Sequence, residues 1–175
     1  GNGPLLEYAT LKEYLNSNVK KVLWVYTEGN DLLDLEIENN NYFLKNYLNN
    51  ENFFQNLKMR QKEVDNLSIE RSNLQKEKGE REINTFKFKF FKFIKLYNVR
   101  SIIFANKYDQ PKMQPEFKEI LQLAKNLTLE NNQKLFFIYL PSYNRYKTNY
   151  HDNNYQEIKT IIKDQLNIPF IDIVK

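Results

Sequence analysis

The sequence predicts an α/β domain: a three-layer α/β/α sandwich built on a parallel sheet. Three observations predict it. The runs "KVLWVYTEG", "KLFFIYLPS" and "IPFIDIV" are short, apolar and rich in Val, Ile and aromatics, the composition of strands buried on both faces. Segments with apolar residues at helical spacing separate them, so the order helix, strand, helices, strand, helix, strand is that of parallel strands joined by helical crossovers. The chain has 175 residues, 41% hydrophobic and 15% aromatic, enough to bury one core.

Each element has a local reason. Gly3-Pro4 followed by "LLEYATLKEYL" predicts a helix running to about Leu15, with Pro4 in the first turn where a missing N–H costs nothing. The strand "KVLWVYTEG" ends on Gly29, Asn30 and Asp31, which is turn chemistry. Residues 42–78 read as helical pieces, with Phe54, Leu57, Gln61 and Val64 along one side of a long polar helix. Residues 68–82 are charged and weakly patterned, and they begin a helical, charged insertion at about 65–112 within a single domain spanning 1–175. Inside it, "FKFKFFKFIKLYNVR" (86–100) alternates like a strand at first, yet Phe90, Phe91, Phe93, Ile94 and Tyr97 fit a helix face. A core element flanked by solvated Lys is preferred there to contact with a membrane surface. From Pro115, residues Phe117, Ile120, Leu121, Ala124 and Leu127 mark a helix; Pro141 stops the second strand; Tyr155, Ile158, Ile162 and Leu166 mark the last helix.

Composition narrows the function classes. Zero Cys excludes disulfides, thiolate metal sites and Cys nucleophiles. No apolar run approaches the roughly 20 residues that span a bilayer. The net charge of +4 and pI near 9.0 come with acids interspersed among the bases, so a solvated mixed-charge surface is expected and no nucleic-acid partner.

In parallel sheets ligands bind at the carboxyl ends of the strands. That rule selects Glu28 to Asp31, Pro141 to Tyr146, and whatever follows Val174. Gly29 lets the chain turn without a side chain in the way, and the short amide of Asn30 can then present a fixed N–H donor, as an oxyanion hole requires. An ordinary turn is the competing reading. Tyr143 and Arg145 are candidate substrate contacts after the second strand, against a reading of loop packing. The acidic run Glu28, Asp31, Asp34, Glu36 and Glu38 matches no metal loop and reads as a solvated helix start, so no metal is expected. Of the five Ser, only Ser142 follows a strand, and a triad with His151 and Asp152 is the local alternative. Adjacent His and Asp side chains seldom face one another, and a solvated His151 is preferred.

Four stretches carry a resemblance to the SGNH/GDSL hydrolase superfamily. "GNGPLLEYATLKEYL" resembles the second conserved block and its helix, and "VLWVYTEGNDLLDL" the third block with its Gly-Asn-Asp. "LFFIYLPSYNRY" is similar to the next strand, and "IKDQLNIPFIDI" to the run-in to the final catalytic block. The resemblance implies a flavodoxin-like strand arrangement and an ester hydrolase or acyl transferase without cofactors, acting on a small-molecule or carbohydrate ester. A Ser nucleophile, a His base oriented by Asp, and an oxyanion hole do the chemistry. Asn30 matches the oxyanion-hole Asn and Gly1 the block-two Gly. No Gly-Asp-Ser occurs here and no Asp-x-x-His follows the last strand. The resemblance therefore implies an incomplete fold, an internal fragment inactive by itself. The alternative is a non-catalytic binding or scaffolding domain of the same fold.

Overall fold

The computed structural model describes residues 2–83, 111–147 and 152–173, with side chains described except at 77–83, 144 and 147. In chain order the elements are α1 (Pro4–Tyr14), β1 (Lys21–Thr27), α2 (Asp31–Glu38), α3 (Tyr42–Asn49) and α4 (Gln61–Ile83). They continue with α5 (Pro115–Glu130), β2 (Lys134–Leu140), α6 (Tyr143–Lys147), α7 (Tyr155–Lys159), a π-helical turn (Thr160–Gln165) and β3 (Phe170–Asp172). The chain divides into two compact units, 1–55 with 110–175, and 56–109. In the second, α4 is a long polar helix whose first turn carries Glu63, ion-paired on the surface with Arg60 just before it.

The first unit is an α/β structure with a three-stranded parallel sheet in the order β1-β2-β3, flanked by helices. The register sets Trp24 opposite Phe137 and Tyr26 opposite Tyr139. Because side chains alternate along a strand, these residues and Leu135 share one face, and that face is buried. There Tyr26 stacks on Phe137 and Tyr139 with ring centroids 5.8 and 5.4 Å apart, and Phe117 of α5 meets Tyr26 edge-on. Leu5, Tyr8 and Ala9 of α1, Ile120, Leu121 and Ala124 of α5, and Ile158 and Ile162 complete the core.

The other face differs from expectation. Leu23 is 57% exposed and Val25 40%, and Ile171, their neighbour across the sheet, is 43% exposed. The expected burial of β1 on both faces is therefore corrected: only Trp24 and Tyr26 within the strand are buried. An apolar run cannot reveal this, since period-two alternation vanishes when both faces are apolar whether or not both are covered.

Helix ends also refine the reading. Phe54, in irregular chain, and Leu57, in a turn, precede α4 rather than lying on it; the ammonium of Lys12 sits over the Phe54 ring at 4.8 Å. The last helix widens into a π turn, with Leu166 N–H donating to Ile161 O at 2.9 Å, and Lys125 Nζ caps Leu166 O at 2.7 Å. The whole 86–100 stretch, read as strand or helix, lies outside the described residues.

Candidate functional site

The β1 ladder extends one residue past the strand, where Glu28 N–H donates to Leu140 O at 2.9 Å. Gly29 then adopts φ 77°, the left-handed conformation that glycine takes without a Cβ penalty. That reversal places Asn30 at the N-cap of α2, exposed, at the carboxyl end of the sheet. Its side chain does not cap the helix. Instead Nδ2 donates to Asp34 Oδ2 at 2.7 Å, one turn on. An amide NH2 carries two hydrogens; Asp34 accepts one and thereby orients the other.

The opening residues pack beside this turn. Gly3 is the N-cap of α1 and has no side chain to cap it, so Glu38 of α2 does so from a distance. Glu38 accepts from Gly3 N–H at 2.7 Å, Leu5 N–H at 3.0 Å and Leu6 N–H at 3.3 Å. Space rather than backbone angle demands glycine at position 3: a Cβ there would lie 2.6 Å from Glu38 Oε2 and 2.8 Å from Asp34 Cβ. Gly1, the block-two match, lies outside the described residues, and the N–H of Gly3 is already bonded to Glu38.

The acidic run is not the solvated helix start that the sequence suggests. Glu28, Asp31 and Glu38 are all buried. Asp31 accepts Thr27 N–H at 2.9 Å, yet burial, aided by Asp34 and Glu38, pushes its carboxyl up to about 7. Glu7 of α1 is pushed up to about 8, by burial first and then by Asp31 and Glu38, and its Oε2 is buried without a hydrogen-bond partner among the described residues. Glu38 is raised by burial against the opposing pull of its three N–H donors. These carboxyls hold protons where free ones would not.

Glu28 is solved differently. Its side chain has no exposed surface, and it is ion-paired with Arg145, whose own side chain is 16% exposed. Glu28 also accepts from Ser142 N–H at 2.8 Å and lies 3.0 Å from the Tyr139 hydroxyl. The pairing holds Arg145 above its usual range, and burial followed by the Asp152 hydrogen bond raises Tyr139. Arg145 is thus engaged in an internal ion pair, whereas Tyr143 is 72% exposed.

The structure gives the local triad no geometry. Ser142 contributes its backbone N–H to Glu28, and His151 lies outside the described residues. Both oxygens of Asp152 are occupied, Oδ2 by the Tyr139 hydroxyl at 2.7 Å and Oδ1 by Asn154 N–H at 2.9 Å. Among the described residues no group of three or more His, Cys, Asp or Glu is arranged to hold a metal ion. A groove of about 650 Å³ opens between the start of α5 and the π turn, lined by Met113, Lys118, Gln156, Thr160 and Ile161 among others. Neither Asn30, Gly3 nor Glu28 lines it.

Sequence reasoning selected Asn30 and missed Gly3 and Glu38 beside its partner Asp34, Glu7 beside Asp31, and Tyr139 with Asp152 beside Glu28. For Tyr139 a signal existed: it shares the strand parity of Leu135 and Phe137, so its hydroxyl had to find a buried partner. Comparison of the chain with protein-family models, with curated proteins and with solved structures gives no match.

Proposed function

We propose that these residues supply the oxyanion-hole part of an SGNH-type serine ester hydrolase, in a three-layer, flavodoxin-like sandwich. One observation carries the reading: the Asn30 amide is exposed at the carboxyl end of a parallel sheet, oriented by Asp34, with the opening segment packed alongside at Gly3. In the proposed reaction a Ser hydroxyl attacks an ester carbonyl while His accepts its proton. The free Nδ2–H of Asn30 and a backbone N–H, assigned by resemblance to Gly1, stabilise the tetrahedral oxyanion. A donor fixed before the charge develops needs no reorganisation during the reaction. The Ser and the Asp-x-x-His are not among these 175 residues, so this segment by itself is expected to be inactive. The reading calls for no metal or cofactor.

The test uses a longer chain that carries both blocks, assayed with p-nitrophenyl acetate. Asn30→Ala should lower kcat by about 10²–10³ with KM little changed. Because the side chain is exposed and bonds only one helical turn away, its loss should cost at most about 0.5 kcal/mol of stability. Unaltered turnover in an active chain removes Asn30 from the mechanism. The open apolar face of Leu23, Val25 and Ile171 favours the alternative, a non-catalytic SGNH-like binding or scaffolding domain. That alternative stands if the longer chain has Ser or His replaced.

A further inference from the structure

The connection from β2 to α7 is fastened at its first described shoulder to the buried carboxylate of Glu28 and at its second to the buried hydroxyl of Tyr139. On the first shoulder, Ser142 N–H donates to Glu28 Oε2 at 2.8 Å, and Arg145 binds Glu28 through Nε, at 3.0 Å to Oε2, and through Nη2. On the second, Asp152 Oδ2 accepts from the Tyr139 hydroxyl at 2.7 Å, and that same hydroxyl lies 3.0 Å from Glu28 Oε1. A hydroxyl has one hydrogen; the shorter contact gives it to Asp152. With its hydrogen on Asp152, the Tyr139 oxygen accepts from the Arg145 guanidinium, and through Arg145 it couples Asp152 to the Glu28–Arg145 pair. Asn154 continues the chain of bonds, donating from Nδ2 to Pro111 O at 2.9 Å.

Glu28 is also two residues from Asn30, and its backbone N–H closes the β1–β2 ladder on Leu140. One residue therefore links the turn that presents Asn30 to the connection leaving the neighbouring strand. We propose that Glu28, with Tyr139, is a positioning clasp: it draws Pro141–Lys147 and Asp152–Asn154 onto the end of β1 and so fixes the rim of the sheet next to Asn30. The clasp itself needs no ester chemistry. Only its place in a substrate site rests on the proposed function.

The test is amide hydrogen exchange on the 175-residue chain, comparing wild type with Glu28→Gln and Tyr139→Phe. Loss of the charge-assisted bonds in Glu28→Gln should speed exchange of residues 142–147 and 152–155 by about tenfold or more, with α5 and the β1–β2 ladder unchanged. Tyr139→Phe should speed 152–155 alone. Uniform acceleration over the first unit, or no change at 142–147 in Glu28→Gln, overturns the proposal. Should Glu28→Gln fail to fold, Tyr139→Phe decides alone, by whether its effect is confined to 152–155. In an esterase-active longer chain, Tyr139→Phe should raise KM severalfold at unchanged kcat; unchanged KM would confine the clasp to folding. Exchange reports the clasp even if Asn30→Ala proves silent, so the two readings fail separately.

Discussion

Glu28 and Asp31 are three residues apart, both buried, and on either side of the Asn30 turn, yet they meet burial in opposite ways. Glu28 is met by a cation and a backbone donor, Arg145 and the Ser142 N–H. Asp31 lies among Glu7, Asp34 and Glu38, and the shared solution there is protonation, with Glu7 pushed up to about 8 and Asp31 to about 7. Taking a carboxylate out of water requires either a cation with good geometry or a proton. One short turn uses both. The β1–β2 end is thereby locked by an ion pair, while the α1–α2 junction holds Glu7 and Asp31, whose carboxyls are pushed up to about 8 and about 7.

The difference can be broken most severely from the Glu28 side. Glu28→Ala would leave the Arg145 charge unpaired against the sheet and should cost about 3–5 kcal/mol in urea unfolding. A loss below about 1 kcal/mol would mean that solvent readily takes over the guanidinium.

The Glu7 side is sharpened by pH. A carboxyl whose folded value lies above its unfolded value stabilises the fold while protonated. That stability is lost as pH rises from about 4.5 through about 8 for Glu7, at roughly 1.4 kcal/mol per pH unit per group. Glu7→Gln should therefore melt like wild type at pH 5 and several degrees higher at pH 8.5. Parallel pH profiles for the two proteins would show that Glu7 is solvated.

A smaller effect tests the packing between these acids. Gly3 has φ −94°, which any residue adopts, so Gly3→Ala carries no backbone strain and only the collision with Asp34 and Glu38. It should cost about 1–3 kcal/mol in denaturant unfolding, the usual range for overpacking. Equal stability would show that the opening segment does not sit against α2.

Much of the architecture can be read without coordinates. Val-, Ile- and aromatic-rich runs bounded by Gly29, Pro141 and the end of β3 became the three strands, and Pro4 and Pro115 open α1 and α5. Local chemistry sufficed there, because chain reversal at Gly29 and helix initiation at a proline depend on the residue itself. The acids of 28–38 could not be read the same way. Their spacing is that of a solvated helix start, and only their neighbours, Arg145 at a separation of 117 residues and Gly3 at 35, show which are buried and how they are satisfied.

What the sequence alone determined is therefore the three strands, their parallel sense, the helices opened by Pro4 and Pro115, and the amide at the end of the first strand. Tertiary structure decided which sheet face is covered, which carboxylates are buried and what meets them, and that Arg145 serves Glu28. The reason is physical: turns and strand propensity act over a few residues, whereas burial and charge compensation are properties of groups brought together from distant parts of the chain.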